Sequence, residues 1–180
     1  MAKEPKAPKP KAIEIVSVKL SRKTVDIAYT QGDSSYTISE RDNPLPSFSK
    51  AMEALAPIVT SVCHLAKGYH EEGMKVASFK LGTKGGAPTI TIRAKKDLDD
   101  SSKQFVFDTP ERLLDQPTEE GSYSPPLKQE FRDLIAEAIA EAKGYVKGER
   151  AQGQIEFDDG KDDEAETDKD ALKFDATGAQ

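Results

Sequence analysis

The sequence predicts an α+β domain, a mainly antiparallel sheet in βββαβββα order with two helices on one face. Three observations carry that expectation. Short segments in which apolar and polar residues alternate occur in two groups of three. Each group is followed by a longer segment with apolar residues at helical spacing. Turn residues rather than long crossovers separate the strands within a group, which favours antiparallel neighbours.

The elements follow in order. Residues 13–20 (IEIVSVKL) and 23–30 (KTVDIAYT) read as paired strands joined at Ser21-Arg22. In the second, Val25, Ile27 and Tyr29 alternate with Thr24, Asp26 and Ala28, as in a strand buried on one face. Gln31-Gly32-Asp33-Ser34 supplies turn chemistry, and Tyr36 and Ile38 continue the alternation in a third strand. After Asn43-Pro44-Leu45-Pro46, Ser47 or Ser49 is the expected cap of a helix over residues 48–66. Its core stripe is Phe48, Met52, Leu55, Val59, Val62 and Ala66, and Pro57 inside it requires a kink or a boundary. Strands at 76–81 and 89–94 flank a turn over 82–88, and a further strand covers 104–107. The last helix is expected over 126–147, with Pro126 at its start and Gly144 and Gly148 near its end. Leu127, Phe131, Leu134, Ile135, Ala138, Ala142 and Tyr145 form its core face.

The two ends differ from this body, which is expected to be a single domain over 12–150. Residues 1–11 carry Lys3, Lys6, Lys9 and Lys11 against Glu4, and three prolines, so a disordered basic arm is expected. Residues 151–180 read as an acidic disordered tail, ten of the last 25 residues being Asp or Glu. The arm sums to +3 and residues 156–180 to −7, within a chain of net charge −6. Net acidity therefore belongs to the tail, and the body is almost neutral. No apolar run is long enough to cross a bilayer, and no secretory signal is expected at the N-terminus. A lone cysteine, Cys63, rules out an internal disulfide and fits a reducing cytoplasm.

The most informative short segment is Gln152-Gly153-Gln154-Ile155-Glu156-Phe157, a hydrophobic anchor where the body gives way to acid. Its Gln-x-x-Ile-x-Phe spacing resembles the motif by which polymerases and repair factors dock on the bacterial sliding clamp. In that mode Gln152 hydrogen-bonds at the rim while Ile155 and Phe157 fill an apolar pocket. With average residue usage such a pattern arises about once per thousand positions, so its weight comes from its place in the tail. The alternative is a short strand or a hydrophobic staple folding back onto the preceding helix.

Other constellations carry less. Cys63-His64 and His70-Glu71-Glu72 contain metal-ligand types, but adjacent helical residues diverge and no second Cys/His pair exists. No nucleophile or oxyanion hole accompanies His70, so no catalytic residue, metal or cofactor is expected. Gly82-Thr83-Lys84-Gly85-Gly86 precedes a strand rather than a helix, which points to a flexible hairpin tip and not a phosphate loop. Around that hairpin, Lys80, Lys84, Arg93, Lys95 and Lys96 form a basic set lined by threonines, a candidate contact for a nucleic-acid backbone. A solvated sheet face is the alternative.

Residues 89–109 (TITIRAKKDLDDSSKQFVFDT) and the closing helix with its sequel, residues 142–152 (AKGYVKGERAQ), resemble small phage and prophage proteins encoded among recombination and replication genes. The resemblance spans roughly residues 40–157. In relatives the end often reads Asp-Leu-Phe, where this chain has Ile155-Glu156-Phe157. It implies a non-enzymatic accessory of phage DNA replication or recombination, partnered by the sliding clamp or another protein of those processes. A counter-defence role, inhibiting a host immune enzyme or sequestering a nucleotide signal, is the rival expectation.

Overall fold

The structure, a computed structural model, describes residues 12–21, 24–41, 43–71, 73–97 and 103–150. Among the described residues, seven strands and three α-helices follow the expected order: β1 Ile13–Leu20, β2 Val25–Gln31, β3 Ser34–Glu40, α1 Pro46–Glu53, α2 Ala56–Val62, β4 Met74–Lys84, β5 Ala87–Asp97, β6 Gln104–Asp108, β7 Arg112–Leu113 and α3 Gln129–Val146. A 3-10 turn at Tyr69–Glu71 leads into β4. The strands form one antiparallel sheet in the order β3-β2-β1-β4-β5-β6. Short β7, which periodicity did not reveal, also pairs with β5 through Thr89 and Ile90.

The helices cover one face because one residue in two along the strands is apolar. Val18, Ile27, Phe79, Ile90 and Ile92 point from the sheet into a core completed by Phe48, Leu55, Val59, Ile135 and Tyr145. Two β-bulges, between Ile15 and Ser17 in β1 and between Val76 and Ser78 in β4, each insert a residue. The insertion switches which parity faces inward. Met74 and Val76 are therefore buried before the bulge, and Phe79 after it.

The helix expected over 48–66 is two helices, broken at Ala54-Leu55 with Pro57 in the first turn of α2. That is where a missing N–H costs nothing. Pro46, not a serine, opens α1, and Ser47 instead donates to Glu141 of α3 at 2.8 Å. The first helix pair ends before Ala66, which is exposed. His64 terminates α2 in the left-handed region at φ 54°, with the Leu65 N–H closing on the Thr60 carbonyl at 2.9 Å. Helix α3 begins at Gln129, not Pro126. Buried Leu127 precedes it in extended chain, its N–H on the Leu113 carbonyl at 2.9 Å. At the other end Gly148, at φ 101°, closes the helix, and the Glu149 N–H reaches the Gly144 carbonyl at 3.1 Å.

Candidate functional site

The face of the sheet away from the helices is lined by short polar side chains, among them Ser17, Thr30, Ser35, Thr37, Ser39, Ser78 and Thr91. Their face follows from the register with Lys19, Asp26, Lys80 and Arg93. Onto it project Lys19 of β1, Lys75, Lys80 and Lys84 of β4, and Arg93 and Lys95 of β5. Four of the five sequence-predicted cations, Lys80, Lys84, Arg93 and Lys95, thus share one face. Lys96 does not. One residue beyond Lys95, it lies on the helix side, with its ammonium 3.7 Å from the centre of the Tyr69 ring.

Most of these charges are neutralised in place. Arg93 grips Asp108 of β6 with two parallel bonds, Nε to Oδ1 at 2.6 Å and Nη2 to Oδ2 at 2.9 Å. Hydrogen bonding to Arg93 holds the Asp108 carboxyl below its ordinary range and raises the guanidinium pKa in turn. Lys84 reaches Glu111 at 4.0 Å, Lys75 reaches Asp97 at 3.8 Å and Lys19 reaches Asp26 at 3.6 Å. Among the described residues, Lys80 and Lys95 are the cations of this face with no ion pair. Lys95 stands directly opposite Lys75, a like-charge pair that isolated strands would avoid.

The hairpin tip is held, not loose. Gly85 and Gly86 both have positive φ, 59° and 72°, as a two-residue type I′ turn requires. The N–H groups of Thr118 and Glu119 donate to the Gly85 carbonyl at 3.0 and 3.2 Å. A Cβ on Gly85 would fall 2.5 Å from Tyr123. Thr89, expected among the solvent-facing threonines, is buried and donates to Glu111 at 2.8 Å. The chain over 109–127 thus folds across the tip, leaving Thr91, Lys80 and Lys95 as the open part.

Two features were not read from the sequence. A shallow, open cleft of about 430 Å³ lies between α2 and the 3-10 turn, lined in part by Thr60, His64, Lys67 and His70. The Thr60 hydroxyl and His70 Nδ1 stand 3.4 Å apart, a loose contact. Burial raises the thiol pKa of nearby Cys63, which keeps it protonated near neutrality. Among the described residues, no three His, Cys, Asp or Glu side chains gather as a metal site would need. The second feature is an aromatic group at the β6 edge. Phe107 meets Tyr69 edge-on at 5.9 Å, and Phe105, 54% exposed, lies 6.2 Å from Phe107. The FVF run of the sequence was its signal, but its position at a sheet edge was not legible.

Gln152, Ile155 and Phe157 lie outside the described residues, as do the basic arm over 1–11 and the acidic tail. Among the described residues, no helix is long and apolar enough to cross a membrane. No protein-family model, curated protein or solved structure matches the chain.

Proposed function

We propose that the chain is a non-enzymatic accessory of phage DNA replication or recombination, with two separate contacts. The body meets the DNA backbone through Lys80 and Lys95 on its open sheet face. Gln152, Ile155 and Phe157 recruit it to the bacterial sliding clamp. The observation that carries the first contact is the state of those two lysines, charged and without ion pairs among the described residues, on a surface of short hydroxyl side chains. Such a surface offers hydrogen bonds and charge to phosphates and little means of reading bases. The second contact is supported by the spacing of the anchor and by the resemblance of the closing segment to phage proteins.

Titrating labelled duplex DNA with the full chain tests the first contact. If two lysines neutralise two phosphates, affinity drops about tenfold between roughly 50 and 200 mM salt. No retention at the lower salt would leave the lysines as a solvated face. For the second contact, calorimetry with a peptide of residues 151–159 is expected to give micromolar affinity for the clamp, about −8 kcal/mol. Phe157→Ala removes most of that affinity, because an aromatic anchor in a desolvated pocket dominates a small interface. Equal binding by wild type and an Ile155→Ala/Phe157→Ala peptide would dismiss clamp docking.

A further inference from the structure

The sheet ends at β6, a five-residue strand of sequence QFVFD, with no strand beyond it among the described residues. Its neighbours Phe105 and Val106 are 54% and 51% exposed and lie on opposite faces. The usual edge protection is missing. The strand holds no lysine and no proline, its register with β5 runs without a bulge, and its acid, Asp108, is neutralised by Arg93. The other edge, β3, presents mainly serine and threonine, and its exposed ring, Tyr36, is already stacked on Tyr29.

The residue after β6 fixes its hydrogen-bond phase. The Thr109 N–H donates to the Ile92 carbonyl at 2.9 Å. Bonded and non-bonded pairs alternate along an antiparallel ladder. Phe107 and Phe105 therefore bond back to Ala94 and Lys96 of β5, while Gln104, Val106 and Asp108 turn their N–H and C=O groups outward. That outward set is symmetric about Val106.

We infer that β6 pairs with β6 of a second copy of this chain, antiparallel about a two-fold axis through Val106. In this register Gln104 exchanges both backbone bonds with the partner's Asp108, and Val106 does so with the partner's Val106. Phe105 falls opposite the partner's Phe107 in a non-hydrogen-bonded pair, where side chains approach most closely. The Tyr69–Phe107 contact thus continues onto a ring of the other copy. Centring the axis on Phe107 instead would set Gln104 against the partner's Pro110, which has no N–H to give.

Charge also suits this pairing. Asp108, gripped by Arg93, meets a carboxamide and not its own counterpart. Lys95 lies opposite Val106, so it and the partner's Lys95 stand three inter-strand steps apart, roughly 14 Å. That exceeds the Debye length of ~8 Å at physiological salt, and their repulsion is screened. The pairing joins two open faces into one surface, with Lys75 and Lys95 of each copy in a single row. The dimer does not depend on the DNA contact. One short edge falls far below the roughly 20–30 residues a side of a standard interface, so association is weak and concentration-dependent.

Sedimentation velocity of the full chain without DNA, from micromolar to near-millimolar concentration, tests the pairing. The mean mass is expected to rise from monomer towards dimer. Val106→Lys sets two ammonium groups face to face at an exposed position and weakens association by at least about tenfold, with the circular dichroism spectrum unchanged. Thr37→Lys, on β3, leaves association as it is. A chain that stays monomeric throughout, a dimer untouched by Val106→Lys, or a dimer lost with Thr37→Lys overturns the inference. Cysteine crosslinking in a Cys63→Ser background checks the axis. Val106→Cys brings two Cα atoms to ~5.5 Å, within disulfide reach, and is expected to link two copies on mild oxidation. Gln104→Cys leaves its two thiols four residues out of register, roughly 14 Å apart, and is expected to link far fewer. No link at Val106, or equal linking by the two variants, overturns the axis.

Discussion

Lys95 and Lys96 are neighbours in sequence and belong to different surfaces, because side chains alternate along a strand. Lys95 projects from the open face, while Lys96 sits over Tyr69 among the aromatics of the other. Charge reversal separates the two positions from each other and from the paired cations. Lys80→Glu/Lys95→Glu is expected to abolish duplex retention in a low-salt binding assay. Lys96→Glu and Lys84→Glu leave it within a few fold, since one lies on the wrong face and the other is already partnered by Glu111. Loss with all three variants alike would mean a diffuse field and not a site. The Arg93–Asp108 pair gives a pH-dependent expectation. The folded carboxyl titrates below its unfolded value, so the stabilisation is present above about pH 4 and is lost as pH falls through the depressed value. Solvent screening keeps the effect small at such an exposed pair. A carboxyl-detected NMR titration should show Asp108 titrating at lower pH than in an Arg93→Ala variant.

At the scale of elements, two helix ends make opposite predictions from the same geometry. Gly148 and His64 both occupy the left-handed position that closes a helix. An L side chain there costs about 1–2 kcal/mol. Gly148→Ala should therefore lower stability by about 1 kcal/mol, read as a drop in melting temperature by circular dichroism. His64→Gly relieves the same strain but adds unfolded-chain entropy of about 0.5–1 kcal/mol, for a net gain of ~0.5 kcal/mol. A lower melting temperature for His64→Gly would show that the imidazole makes contacts that outweigh its backbone strain. The α1–α2 break illustrates what residue types alone convey: Pro57 announced a boundary, and a boundary is there. Serine at the α1 start announced a cap, but Pro46 already occupies the first turn and Ser47 is drawn to Glu141, 94 residues away in sequence. Such a competitor cannot be seen from a local window.

Across the whole molecule, one core joins the sheet to all three helices, so truncation at its centre should be felt globally. Phe79, on β4 beneath the helices, is 2% exposed. Phe79→Ala is expected to cost about 3–5 kcal/mol, a large share of a small domain's stability, and denaturant unfolding would measure it. A cost below about 1 kcal/mol would mean that the core collapses readily around the gap. The sequence by itself determined the α+β class, the mainly antiparallel character of the sheet, the two helical regions and the glycine turn of the main hairpin. Each of these is written in local period and turn chemistry. Alternation also put Arg93 and Lys95 on one face, while the pairing of β4 with β5 brought Lys80 and Lys84 onto it and left Lys96 off it. Only the tertiary structure decided which of those charges are free. Asp108 and Glu111 reach Arg93 and Lys84 from other strands and loops, at separations no periodicity encodes. It also set the bulges that fix inward parity, the burial of Thr89 under Glu111 and the place of Arg150 beside Glu40. Alternation can be read along one strand, but its phase is set by the neighbouring strand's register, and a charge is free or paired only once every distant segment has taken its place.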